Sequence, residues 1–195
     1  MGIIKKYNKY LESVEEISLD KVFDDCKPFI NDLKKCKKGD FLLRGVGNNN
    51  MKPFDIKKFD APYERIPRNM PIEDHDTFNF LLKQKFGWYV RDGVFCFGYN
   101  LNKRENLDGK KEDVGYGIKT FIMFPLGNYK FVYHPEINDL FVEYNTNKIP
   151  EIIDTYKNTS LENAIYYGNE ISIGCEEYYL IEQSYLKELI KKIWQ

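Results

Sequence analysis

Residues 119–134 read Lys119-Thr120-Phe121-Ile122-Met123-Phe124-Pro125-Leu126-Gly127-Asn128-Tyr129-Lys130-Phe131-Val132-Tyr133-His134. Two short runs of aromatic and aliphatic residues flank Leu126-Gly127-Asn128, and such a pattern predicts two strands joined as a hairpin. Outward from this pair, Gly93-Val94-Phe95-Cys96-Phe97 and Asp40-Phe41-Leu42-Leu43-Arg44-Gly45 read as buried strands upstream. Glu170–Ile173 and Glu177–Glu182 read as strands downstream, on either side of Gly174. Helical spacing marks the flanks. Leu19, Val22, Phe23, Cys26, Phe29, Ile30 and Leu33 recur with helical period behind Ser18 as N-cap, with Pro28 dividing the run. Helices are also expected from about Asp74 to Phe86 with Gly87 as stop, over Ser160–Tyr167, and over the amphipathic Ser184–Trp194. Helices around a strand-rich middle predict an α+β fold.

The chain has 195 residues, 29 Lys+Arg against 30 Asp+Glu, 43% hydrophobic and 16% aromatic content. That length and core content suit one domain: a helical segment over 1–39, a mixed core over 40–182 and a closing helix over 183–195. The balanced charge argues against an obligate polyanion binder. No apolar run approaches the ~20 residues of a membrane span, and the amino terminus lacks the apolar core of a signal peptide. Cys26, Cys36, Cys96 and Cys175 are scattered, with only two histidines, so no metal site is expected. Reduced thiols and a cytoplasmic location are the default expectation. A preference for Lys over Arg, with many Asn, Ile and Tyr, points to an AT-rich genome such as that of a low-GC bacterium or its phage; for a phage protein the location would be the host cytoplasm. Between Val46 and Pro71 lie four prolines and Asn48-Asn49-Asn50, an irregular stretch of a length that often carries function.

Arg44 ends an apolar strand beside Gly45, where a guanidinium can grip a phosphate or carboxylate. Glu176 and Glu177 open an aromatic strand as fixed anions. Phe97, Tyr99 and Tyr116 stand near glycines and can offer flat stacking surfaces. Arg65, Arg68 and His75 lie in or beside the irregular stretch and are candidates for contact with a substrate.

Three of these elements together resemble the arginine–serine–glutamate pattern of the ADP-ribosyltransferase superfamily. They are Phe41-Leu42-Leu43-Arg44-Gly45, the middle strand Val94-Phe95-Cys96-Phe97-Gly98-Tyr99, and Glu177-Tyr178-Tyr179-Leu180. The resemblance implies a split, two-sheet core that binds NAD in a cleft as substrate. In it Arg44 and Gly45 would anchor the dinucleotide, with Phe97, Tyr99 or Tyr116 against the nicotinamide. Glu177 would hold the ribose and stabilise the oxocarbenium ion, with Glu176 as the alternative position. ADP-ribose would pass to a macromolecular acceptor, a protein or a nucleic acid. The middle strand departs from the family's Ser-Thr-Ser, reading Phe95-Cys96-Phe97-Gly98, and Cys175 stands where arginine-modifying members carry a second glutamate. Two further readings are a non-enzymatic interaction protein that engages a host partner through its aromatic surface and long loop, and a nucleic-acid-acting protein of other mechanism. The enzyme reading requires Arg44 and Glu177 to meet in one cleft with an aromatic wall.

Overall fold

A computed structural model describes residues 16–47, 51–62, 65–67, 70–100, 119–137, 140, 148–167 and 170–195. Among the described residues the α-helices are α1 (Leu19–Asp25), α2 (Lys27–Leu33), α3 (Ile72–Phe86), α4 (Ile149–Thr155), α5 (Leu161–Tyr167) and α6 (Leu186–Trp194). The strands are β1 (Asp40–Val46), β2 (Ile56–Asp60), β3 (Val94–Asn100), β4 (Lys119–Pro125), β5 (Lys130–Tyr133), β6 (Ile171–Gly174) and β7 (Glu177–Ile181). The fold is α+β.

Local chemistry accounts for most boundaries. Ser18 Oγ accepts from the Lys21 amide at 3.2 Å and starts α1. The long amphipathic run then breaks at Cys26, with Pro28 in the first turn of α2, where its missing N–H removes no helical bond. Gly87 closes α3 in the left-handed conformation at φ 79°.

All strand pairings are antiparallel, in the order β2-β7-β4-β1-β3-β6-β5. The two-sheet arrangement is therefore corrected to one seven-stranded sheet. The ladder stays continuous because its central strands change partners partway along while sharing a neighbour at the crossing. Asp40–Leu43 of β1 pair with β3, and Leu43–Val46 pair with β4. Val94–Cys96 of β3 pair instead with β6. The sheet thus forks beyond Leu43, where β1 and β3 separate.

The hairpin is a second correction. Lys119–Pro125 and Lys130–Tyr133 are strands, but β4 pairs with β1 and β7, whereas β5 pairs with β6. Their connection carries the chain from one wing of the sheet to the other. The irregular stretch also contains β2, an edge strand that pairs only with β7. Its sequence, Ile-Lys-Lys-Phe-Asp, buries only Ile56, so it carries little hydrophobic signal. Helix α4 went unread for a similar reason, being short and opened by Pro150 in its first turn.

Strand alternation sorts side chains to two faces. Phe41, Leu43, Ile122, Phe124, Tyr179 and Ile181 share one face by register. There α2 packs Phe29 edge-on against Phe124 at 5.3 Å, and α6 packs Trp194 against Phe41 at 5.4 Å. Leu42, Arg44, Phe121, Met123, Tyr178 and Leu180 occupy the other face. A second apolar cluster joins α3, α4 and Val132 of β5 through Phe78, Leu82, Val90, Ile149 and Ile153.

Candidate functional site

Arg44 stands at the fork. Its Nη1 donates to the Phe95 carbonyl at 2.6 Å, bridging the gap that opens between β1 and β3. Its guanidinium lies 5.5 Å from the centroid of Tyr178, on the same face. Its Nε is buried without a partner. Two further guanidiniums gather on the Phe95 ring, Arg65 at 4.1 Å and Arg91 at 4.7 Å from the centroid. Three of the chain's five arginines therefore meet at one phenylalanine. A cation over an aromatic face is held by the ring quadrupole, and this holds the planar groups in place. Arg91 also pairs with buried Glu170 at 2.5 Å. The sequence read Arg91 only as the start of the stretch leading into β3 and Glu170 only as the start of a strand; 79 residues apart, they have no local pattern to join them.

Beside this cluster opens a cleft of about 590 Å³. Its wall includes Arg65, His75, Asn79, Trp88, Asp92 and Cys175. Arg65 and His75, both expected from the sequence as candidates for contact with a substrate, thus line one space. A second cleft of about 660 Å³, lined by Lys130, Glu176 and Glu177 among others, shares Trp88, Gly174 and Cys175 with the first. The Trp88 indole forms the partition because Gly93 and Gly174 leave room for it. A Cβ on Gly174 would sit 2.8 Å from the ring, and one on Gly93 would sit 3.1 Å from it.

Arg44 and Glu177 do not converge. Glu177 pairs across to β2, where its Oε1 meets Lys58 Nζ at 2.8 Å. Lys58 faces Tyr179, so this pair lies on the face that α2 and α6 cover, opposite Tyr178 and Arg44. Phe97 and Tyr99 also lie on that face, opposite Leu43 and Phe41, half-buried against the core. Gly45 pairs with Thr120 beyond the fork. Glu176 is exposed, and its carbonyl accepts from the Ala61 amide at 2.8 Å. Arg68 and Tyr116 lie outside the described residues.

Burial pushes the Cys175 thiol up to about 12, against a lesser opposing pull from Arg44, so its thiolate is scarce at neutral pH. Among the described residues, no group of three or more His, Cys, Asp or Glu side chains is placed to hold a metal ion, and no helix is long and apolar enough to cross a membrane. Comparison with protein-family models, curated proteins and solved structures finds no match for the chain.

Proposed function

We propose that the chain is an ADP-ribosyltransferase-like enzyme that binds NAD in the cleft beside Phe95. The observation that carries this reading is the arginine cluster on Phe95, one member of which, Arg65, lines a cleft walled by Trp88 and Tyr89. NAD brings a diphosphate between two flat rings. The cleft supplies a guanidinium for the first and aromatic surfaces for the second, within the usual ~300–1,000 Å³ of a small-molecule site. Arg44 and Glu177, which the family pattern would bring together, do not meet, so the reading rests on this cleft and not on that motif order, and the carboxylate's role moves to a residue of the cleft wall.

In the reaction the bond between ribose C1′ and the nicotinamide nitrogen breaks, and nicotinamide leaves with the electron pair. A nucleophile of the macromolecular acceptor then bonds to C1′ and gives up its proton to water. Positive charge grows on the sugar, so a fixed carboxylate facing it lowers the barrier. Asp76 and Asp92 both line this cleft; Asp76 Oδ1 lies beside His75, whereas Asp92 stands beside Arg65, whose amide lies 3.5 Å from Asp92 Oδ1, so Asp92 is the carboxylate assigned this role. Arg44 and Arg91 act as positioning residues by holding Phe95, against which Arg65 rests.

The test is nicotinamide release from NAD, with cell lysate as an acceptor source. Asp92→Asn is expected to lower release about 100-fold or more, the usual scale for losing one electrostatic stabiliser. Glu177→Gln should stay within about threefold of the parent. Loss of release in Glu177→Gln alone would move the reaction to the second cleft. Neither release nor NAD binding would overturn the enzyme reading in favour of the non-catalytic one, which the exposed Ile66, Ile72 and Tyr89 around the cleft favour.

A further inference from the structure

His75 and Asn79 stand four residues apart on α3, so they occupy one face of the helix, and both line the 590 Å³ cleft. His75 is 4% exposed, and its Nε2 is buried without a hydrogen-bond partner. A buried polar atom left unpaired is unfavourable, so one on a side chain that lines a cleft marks a place where a ligand group would be stabilised. Its chemical character follows from its neighbour. Nδ1 lies 3.3 Å from Asp76 Oδ1, and a carboxylate only accepts, so Nδ1 carries the proton. In the neutral imidazole this leaves Nε2 as an acceptor.

Asn79 has the complementary character. Its Oδ1 accepts from the Arg91 amide at 2.9 Å, which sets the orientation of the side-chain amide. The Nδ2 group then has two N–H donors and, among the described residues, no acceptor paired with it. Half-buried Arg91, its side chain tied to Glu170, thus holds the amide in place through its backbone N–H.

We propose that His75 and Asn79 read a ligand edge on which an N–H donor and an acceptor stand side by side. The ligand N–H would donate to His75 Nε2, and its oxygen or ring nitrogen would accept from Asn79 Nδ2. Two groups carry that edge: a ring-bound primary carboxamide, as in nicotinamide, and the amino–imine edge of adenine. Trp88 offers the adjoining flat surface. The inference rests on the reading of this cleft as the ligand site, and does not require that any bond be cleaved there.

The experiment titrates the full chain with four probes by calorimetry: nicotinamide against nicotinic acid, and adenosine against inosine. Nicotinic acid lacks the N–H donor, and inosine exchanges donor and acceptor along the edge. The parent is expected to favour nicotinamide or adenosine at least tenfold over its counterpart, and whichever pair is discriminated identifies the source of the edge. Asn79→Asp and His75→Phe should each reduce that preference below threefold, whereas His75→Gln, which keeps an acceptor oxygen, should retain part of it. Thermal melts establish that each variant is folded. If His75→Phe is not, the parent's preference and the Asn79→Asp and His75→Gln results decide. No preference by the parent, or a preference undiminished in the folded variants, would overturn the proposal. Preference without nicotinamide release would overturn the enzyme reading alone.

Discussion

Gly98 shows how closely two elements can depend on one missing atom. A Cβ at this position of β3 would lie 2.2 Å from the carbonyl oxygen of Ile165 and 2.5 Å from its Cα, in the backbone of α5. Backbone cannot step aside as a flexible side chain can, so the helix must lift from the sheet. Gly98→Ala is expected to destabilise the protein by about 1–3 kcal/mol or more, the range for forced overpacking. Urea denaturation would measure it, and an unchanged midpoint would refute the close approach. Gly174 is a milder case, since its Cβ would meet the Trp88 ring, which can shift. The sequence places Gly98 in a strand and Gly174 between two strands, and only the packed neighbours show what each one meets.

Between elements, the informative link is the hydrogen bond from Tyr179 of β7 to Asp25 at the end of α1, 2.6 Å long and spanning 154 residues. This bond, followed by the bond and charge of Lys21, lowers the Asp25 carboxyl below its ordinary value of 3.8. A carboxylate whose folded pKa is depressed contributes stability that is fully present above the unfolded value and is lost as pH falls through the folded one. The stability difference between the parent and Asp25→Asn should therefore be largest above pH ~5 and shrink on acidification below pH ~4. Denaturation at pH 6 and pH 3 checks this, and a difference that grows with acidity would refute it. The helices on either side of this link were legible because cap, proline and period all agree in α1 and α2. Strands β4 and β5 were legible as strands, but their partners were not. A Gly-Asn turn fits a hairpin locally, and the choice of β1, β7 and β6 as partners rests on face matching across the whole sheet.

Across the molecule, the two apolar clusters each hold one of the two tryptophans. Trp194 packs against the larger cluster and Trp88 against the smaller. The clusters are joined through β5, where Val132 belongs to one and neighbouring Tyr133 to the other. A shared strand couples their unfolding, so a single cooperative transition is expected. In Trp88→Phe the fluorescence of Trp194, and in Trp194→Phe that of Trp88, should give the same urea midpoint as far-UV circular dichroism of that variant. Midpoints that separate would show two units that unfold independently.

The amino-acid sequence by itself determined the α+β class, most helices and strands, the helix break just ahead of Pro28 and the stop at Gly87. These depend on side-chain period and backbone chemistry within a few residues. It also marked Arg44, Arg65 and His75 as residues of interest, by type and setting. Tertiary structure alone decided which of them share a space. Arg65 and His75 meet Asp92 and Trp88 in one cleft, whereas Arg44 and Glu177 leave the sheet on opposite faces. The physical reason is register. A one-residue difference in phase sends a strand side chain to the other face, and that phase is set by pairing with strands far away in the chain.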